Sequence, residues 1–169
     1  AYRRFGLPSA SGNTYLAMWR DLVKRYPDLD ARRILEDLID TQGSKGKWFA
    51  AAKTARFLDI ALECSAHYDA APATLIRAAR DLKLKEPSFA MQVALQAIRH
   101  LVEGRGYEPS PLDIDEAVEH LMVAAARLDE VDQARKALQR IAGSALSAGL
   151  MADRLARNIA DLRDADKNG

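Results

Sequence analysis

The sequence predicts an all-α protein with about eight or nine helices. Nearly every segment spaces its apolar residues three or four positions apart, as on one face of a helix. The breaks between these segments are short and contain proline, glycine or aspartate, which are typical of helix ends. No stretch of useful length alternates apolar and polar residues as a half-buried strand does.

In the N-terminal half, the predicted helices follow each other closely. The first covers 15–26 and stops at Pro27, and the second covers 28–40. Residues 47–68 form either one long helix or two shorter ones. Small alanines crowd the first part of this segment and larger aliphatic residues the second, which favours two helices with a tight turn near Arg56–Phe57.

Five further helices are predicted after residue 72. Pro72 and Pro87 stand just before two of them, where proline suits the first turn. The stretch RGYEPSPL at 105–112 is rich in glycine and proline and is the clearest loop. The five helices are expected at 73–84, 88–104, 114–128, 130–143 and 144–164.

The chain is expected to form a single helical-repeat domain over 13–164. Residues 1–12 are predicted as an extended N-terminal arm and residues 165–169 as a frayed tail. The first residue is alanine, and the residues after it lack the apolar core of a signal peptide. The sequence therefore predicts that this chain is a piece of a longer protein.

Short helices joined by few residues are expected to pack as antiparallel pairs. Small residues in the second helices, such as Ala61, Ala90 and Ala134, let neighbouring helices approach closely. This arrangement resembles the tetratricopeptide class, whose repeats have about 34 residues. The small residues are instead 29 and 44 positions apart, so the predicted right-handed array is degenerate. A non-repeating helical bundle is the alternative.

Four stretches carry a second resemblance: YRRFGL at 2–7, GKWFAAAKTARFLDIALE at 46–63, PATLIRAARD at 72–81 and IRHLVEGRGY at 98–107. They resemble the C-terminal region of a bacterial family of all-helical proteins, a domain of unknown function. The resemblance implies that this region follows other helical segments in a cytoplasmic protein. It implies no catalytic residues.

Composition and charge limit the classes of function. The 169 residues are 49% hydrophobic and 29% charged, as in a globular domain with a sizeable core. Residues 1–85 carry 15 Lys or Arg and 10 Asp or Glu, whereas residues 86–169 carry 10 and 14. This polarity is milder than that of typical nucleic-acid-binding domains. No apolar run approaches the length of a membrane span, and the single Cys64 fits a reducing compartment.

The stretch TQGSKGKWFAAA at 41–52 raises the question of a phosphate-binding loop. Such a loop needs four residues between its first glycine and the Gly-Lys pair, then Ser or Thr, after a strand. Here only Ser44 and Lys45 separate the glycines, and Trp48 stands in the hydroxyl position. The sequence therefore predicts the entrance to a helix. The weaker alternative is that Lys45 and Lys47 attract an anion at the helix N-terminus.

The remaining candidates for chemistry are also weak. Cys64 and His67 form a CxxH pair, half of a structural zinc site, but neither His100 nor His120 belongs to a second pair. Cys64 is therefore interpreted as a small buried hydrophobe. Glu116 and His120 stand one helical turn apart, as an ordinary surface pair does. No catalytic residue, metal or cofactor is predicted.

The functional prediction depends on the expected array. The first helix of each pair would line a curved groove, at 15–26, 47–55, 73–84 and 114–128. Cations along it suit an extended acidic peptide or a free C-terminus. The alternative is that these cations only pair with nearby carboxylates on the surface. The predicted partner-binding residues are Arg20, Lys24, Lys47, Trp48, Lys53, Arg77, Arg80 and His120.

The sequence therefore predicts a non-catalytic, cytoplasmic protein-interaction module. Its expected partners are a protein or peptide, with an acidic peptide as one candidate, and other domains of the same longer chain. A second hypothesis is an auxiliary nucleic-acid-binding domain that uses the basic N-terminal half, including Arg3 and Arg4. An enzyme finds the least support, because no nucleophile and base are paired in the sequence.

Overall fold

A computed structural model describes residues 14–144 and 149–167 of the chain. Over these residues the protein consists of helices, turns and irregular connections, with no strand, so the all-α prediction is confirmed. The predicted N-terminal arm lies outside the described residues. Nine α-helices are described: α1 Thr14–Arg25, α2 Ala31–Gln42, α3 Phe49–Thr54, α4 Leu58–Ser65, α5 Pro72–Leu82, α6 Pro87–Val102, α7 Pro111–Arg127, α8 Val131–Ala142 and α9 Leu150–Lys167. A 3-10 turn, Lys45–Trp48, leads into α3.

The segment 47–68 is divided into two helices, α3 and α4, as predicted. Arg56 between them has a left-handed backbone, with φ of 67°. The N–H of Phe57 donates to the carbonyl of Ala52 at 3.1 Å, and the N–H of Arg56 donates to that of Lys53 at 3.1 Å. This pair of bonds is a Schellman motif, which ends a helix by reversing the chain.

Several helix boundaries differ from the prediction by three or more residues; α2, for example, begins at Ala31 and not at residue 28. α7 begins at Pro111 because Ser110 is its N-cap and Asp113 is the third residue of a reciprocal capping box. The sequence prediction placed the start of this helix at residue 114. α9 begins at Leu150, later than predicted, and continues through Lys167, so residues 165–167 of the predicted tail are helical.

The described helices divide into two compact units, α1–α4 up to Ala70 and α5–α9 from Ala71. We call them unit 1 and unit 2. The single repeat domain predicted over 13–164 stays a prediction, as does the right-handed array.

In unit 1, α1 packs against α2 and α3, and the 3-10 turn contacts α1, α2, α3 and α4. The indole Nε1 of Trp19 donates to the carbonyl of Ala31 at 2.9 Å and so ties α1 to the first residue of α2. Leu35 and Leu38 of α2 are fully buried, as are Trp48 and Ala61. The turn before α3 therefore lies in the core of this unit.

In unit 2, α6 packs between α5 and α7, and α9 packs against α7 and α8. α5 and α6 are joined by only four residues, so they form a helical hairpin. Ala90, Ala94 and Ala97 of α6 are fully buried, which allows the neighbouring helices to approach closely. Ala134 of α8 is fully buried as well. The small residues singled out in the sequence thus lie at packed positions.

Candidate functional site

The glycine- and lysine-rich stretch before α3 is a packed turn. Gly43 ends α2 with φ of 70°. Gly46 donates its N–H to Oδ1 of Asp69 at 2.8 Å. A Cβ at Gly46 would clash with the backbone nitrogen of Ala70 and with the Asp69 carboxylate. Gly46 therefore lets the turn pack directly against Asp69 and Ala70. A packed turn agrees with the prediction that this stretch leads into a helix.

Trp48 was predicted to bind a partner, but its side chain is fully buried. Its ring meets that of Tyr15 edge-on, with centroids 4.8 Å apart and an interplanar angle of 78°. Within the described residues, its Nε1 has no hydrogen-bond partner. In this structure the indole belongs to the core of unit 1, and a partner has no access to it.

Asp69 joins the turn to the residues after α4. Its Oδ1 accepts the N–H of Gly46 and also lies 2.5 Å from Nδ1 of His67. A carboxylate only accepts, so Nδ1 is the donor in this contact, and a ring that carries a single proton then has its acceptor lone pair on Nε2. The imidazole packs against the ring of Tyr68, with ring centroids 4.6 Å apart. Sequence analysis singled out His67 only as half of a CxxH motif, since nothing local identifies Asp69 as its partner.

Cys64 lies at a cleft of about 370 Å³ beside α2 and α4 in unit 1. Its side chain is buried, and this burial, aided by the charge of Glu63, raises the pKa of the thiol to about 11. The thiol is therefore neutral near pH 7, in agreement with its interpretation as a buried hydrophobe. Among the described residues, no three His, Cys, Asp or Glu side chains are placed to hold a metal ion.

Four charged groups of the same cleft, Arg32, Glu36, Asp40 and Lys45, have ion-pair partners within the protein. Arg32 donates to Glu36 at 2.9 Å and to Asp59 at 3.1 and 2.5 Å, which joins α2 to α4. The Arg32 guanidinium holds the pKa of Asp59 below its usual value. Lys45 lies 3.7 Å from Asp40. The cleft therefore offers no unpaired charge to a ligand at these positions.

Four of the predicted partner-binding cations lie in unit 1. Arg20 and Lys24 on α1 and Lys47 in the 3-10 turn are exposed, and Lys53 on α3 is half-buried. None of the four has a carboxylate within 4.0 Å among the described residues. Asp21, a carboxylate next to Arg20 in the sequence, instead pairs with Arg25 at 3.0 Å.

The predicted cations of unit 2, Arg77 and Arg80 on α5, are exposed but have local partners. Arg77 donates to the carbonyl of Ala73 and to the hydroxyl of Thr74, both at 3.3 Å. Arg80 donates to Asp81 at 3.0 Å. The Arg80 contact matches the alternative in which surface cations pair with nearby carboxylates, whereas Arg77 bonds neutral groups of its own helix.

His120 was also predicted to bind a partner, but its side chain is only 6% exposed. Lys83 approaches its Nδ1 at 3.0 Å, and Glu116 approaches its Nε2 at 3.3 Å. An ammonium group only donates, so Nδ1 accepts and Nε2 donates to the carboxylate. The imidazole links the end of α5 to α7 inside unit 2, and both of its nitrogens are occupied.

A further polar cluster, on α7 and α9, has no signal in the sequence. Asp115 accepts from Nε of Arg154 at 2.8 Å and from Asn158 at 2.7 Å, and the second guanidinium nitrogen bonds its other oxygen. These bonds hold the pKa of Asp115 below its usual value. Arg154 and Asn158 share a helix face, but their carboxylate partner is about 40 positions away. These bonds hold α9 against α7 within unit 2.

The eight predicted residues thus fall in two units, five in unit 1 and three in unit 2. The continuous groove that would join them stays a prediction. No described helix is long and apolar enough to span a bilayer. No protein-family model, curated protein or solved structure matches the chain significantly. The resemblance to the bacterial all-helical family likewise stays a prediction.

Proposed function

We propose that this protein is a non-catalytic interaction module that binds an acidic segment of a partner protein through the cations of unit 1. The observation that supports this proposal most directly is the state of Arg20 and Lys24. Both are exposed on α1, and neither has a carboxylate within 4.0 Å among the described residues.

The position of these two residues on α1 suits contact with a partner. Each lies two positions from Leu22, which is buried, and therefore on the opposite side of the helix. They are four positions apart, so their side chains are neighbours on the solvent face. Two adjacent cations can hold a carboxylate-bearing segment by charge-assisted hydrogen bonds without breaking an existing ion pair.

Lys47 and Lys53 extend the same proposal to the 3-10 turn and α3, both of which contact α1. Arg77 and Arg80 contribute less, because a partner would have to compete with the local bonds they already make. Trp48 and His120 are left out, because their side chains are buried.

The non-catalytic part of the proposal is supported by the chemistry of the candidate groups. The Cys64 thiol has a pKa of about 11 and is a poor nucleophile near neutral pH. The ring nitrogens of His120 are both engaged. The predicted cytoplasmic location, which follows from the resemblance and the single cysteine, stays a prediction.

Nucleic-acid binding receives less support than acidic peptide binding. Residues 14–70 contain nine Lys or Arg and nine Asp or Glu, so this part of the chain has no net positive charge. A nucleic-acid-binding face normally carries a clear excess of clustered cations.

The test measures fluorescence anisotropy of a labelled oligoglutamate peptide with the full chain and with the variant Arg20→Glu, Lys24→Glu. The matched control is Arg157→Glu, Arg163→Glu, which reverses two exposed cations of α9 in unit 2. We expect the α1 variant to weaken binding at least about tenfold and the control to change it little.

Equal weakening in both variants would show that only net charge matters and would contradict the proposal. A single-stranded DNA of equal charge serves as the second probe. If the DNA binds more tightly than the peptide and its affinity falls steeply with salt, nucleic-acid binding replaces the proposal.

A further inference from the structure

We propose that His67 is a nucleophilic histidine that accepts a phosphoryl group on Nε2 from a small anionic phosphoryl donor. The reaction modifies the protein once and is not a catalytic turnover, so it does not require the binding function proposed for α1, although both proposals use Lys47. It rests on the exposure of the imidazole, on how Asp69 holds it, and on the cations beside the contact between Asp69 and the turn.

His67 differs from the other two histidines in exposure. Its side chain is 30% exposed, whereas His100 and His120 are almost completely buried. No described residue makes a hydrogen bond to Nε2 of His67, while both ring nitrogens of His120 are occupied. Only His67 therefore presents a free ring lone pair that a reagent in solution can reach.

Asp69 fixes the ring for this reaction. Its side chain is only 14% exposed, and its Oδ1 is held by the N–H of Gly46 at 2.8 Å while it accepts from Nδ1 of His67 at 2.5 Å. The carboxylate thereby keeps the proton on Nδ1 and the lone pair on Nε2. When Nε2 forms a bond, the ring becomes positively charged and Nδ1 shares that charge. The carboxylate lies beside Nδ1 and stabilises the charged ring, as the carboxylate of a catalytic triad does. Asp69 is thus a positioning residue.

The charge around this dyad selects an anionic reagent. Gly46, which touches the Asp69 carboxylate, stands between Lys45 and Lys47, and both ammonium side chains are exposed. Lys47 has no carboxylate within 4.0 Å among the described residues. An electrophile that carries negative charge, such as a phosphoryl donor, is drawn to this surface more strongly than a neutral one.

With phosphoramidate as the donor, the Nε2 lone pair attacks phosphorus. The amino group of phosphoramidate is protonated near neutral pH, so the Nε2–P bond forms while the P–N bond breaks, and the nitrogen leaves as neutral ammonia with that electron pair and its three protons. The proton on Nδ1 stays between the ring and Asp69, whose carboxylate stabilises the cationic ring. No oxidant, metal or further co-reactant takes part.

The experiment incubates the full chain with phosphoramidate and follows the intact mass and the site of modification by tandem mass spectrometry at neutral pH. We expect one phosphoryl group, stable in alkali and labile in acid, on His67 and not on the two buried histidines. His67→Gln should remove it. The same His67 in the urea-denatured chain should react at least about tenfold more slowly, because it lacks the oriented carboxylate.

Two further variants separate positioning from charge. Asp69→Asn retains an oxygen that accepts from Gly46 but removes the charge, and it should slow phosphorylation at least about tenfold. Lys47→Glu should slow the reaction with phosphoramidate severalfold but leave that with diethyl pyrocarbonate, a neutral electrophile, nearly unchanged.

Phosphorylation of His100 or His120 as fast as His67 would overturn the proposal. So would equal rates for His67 in the native and the denatured chain. A folded Asp69→Asn variant, with unchanged circular dichroism and an unchanged rate, would also overturn it. If Asp69→Asn fails to fold, the phosphorylation rates of His67 in the native and the urea-denatured chain test the proposal instead.

Discussion

At the scale of single residues, Gly46 and Asp69 determine the local structure of unit 1. Gly46 has no room for a side chain, and the carboxylate it contacts also orients His67. One backbone N–H thus connects the turn before α3 to the residues after α4. The stretch that most resembles a ligand-binding loop in the sequence is a packing contact in the structure.

We expect Gly46→Ala to lower the free energy of unfolding by about 2–3 kcal/mol, because the new Cβ forces the two segments apart and strains the hydrogen bond to Asp69. Urea unfolding followed by circular dichroism measures the change. The control is Gly43→Asn: φ there is positive, a conformation that asparagine tolerates, and the new Cβ meets open space. A control that loses as much stability as Gly46→Ala would contradict the packing role.

The single thiol gives a second prediction at this scale. Because burial raises the pKa of Cys64 to about 11, the thiol stays neutral through neutral pH, and its reaction with iodoacetamide should be slow. The rate should rise as the pH increases toward that value. Denaturation should make labelling fast near pH 8, since the exposed thiol has a pKa of about 8.5. Equal rates for the native and denatured chains at pH 8 would show that the thiol is not buried.

At the scale of elements, short-range bonds decide where helices end, and long-range polar bonds fasten helices together. Arg56, Gly104 and Asp129 each adopt a left-handed backbone just after a helix. In each case the following N–H returns to a carbonyl five residues back, which completes a Schellman motif. Only one of these three helix ends has the glycine that favours a left-handed backbone, Gly104. The ends at Arg56 and Asp129 are therefore hard to predict from the sequence.

The bond network between α7 and α9 should depend on pH. Arg154 lowers the pKa of Asp115, so the network contributes stability above the unfolded pKa of about 3.9 and loses it as the pH falls through the lower folded value. A double-mutant cycle with Asp115→Ala and Arg154→Ala should show favourable coupling at pH 7 and smaller coupling near pH 3. The readout is the urea midpoint of each variant. Coupling that is absent at pH 7, or that grows in acid, would contradict the arrangement.

At the scale of the whole molecule, the described helices divide into two units, each with buried residues of its own. Leu38 of α2 and Leu121 of α7 are both fully buried. Substituting each leucine therefore tests whether the two units unfold separately.

We expect Leu38→Ala and Leu121→Ala each to lower stability by about 2–5 kcal/mol. Hydrogen exchange followed by mass spectrometry should show faster exchange in α1–α4 for the first variant and in α5–α9 for the second. Accelerated exchange over all nine helices in both variants would instead mean that the two units unfold together.

Sequence alone predicted the all-α class, the number of helices and the division of the segment 47–68. Boundaries were predicted less well, because a cap is recognised only when its partner is known: Ser110 caps α7 through Asp113, which resembles a cap itself. Of the predicted site residues, Arg20 and Lys24 on α1 are exposed, and their role in binding a partner stays a prediction. The burial of Trp48 and His120 was not predicted, because it depends on neighbours from other parts of the chain.

This difference has one physical cause. Apolar periodicity, proline placement and turn residues act over one or two helical turns, so the sequence by itself determines that the protein is helical and roughly where its helices lie. The tertiary structure alone decided that Asp69 reaches Gly46 across 23 positions, that Lys83 reaches His120 across 37, and that Arg154 reaches Asp115 across 39. Such contacts form only when helices pack together. The residues next to a polar side chain in the sequence do not identify its distant partner, so these contacts cannot be predicted from local patterns.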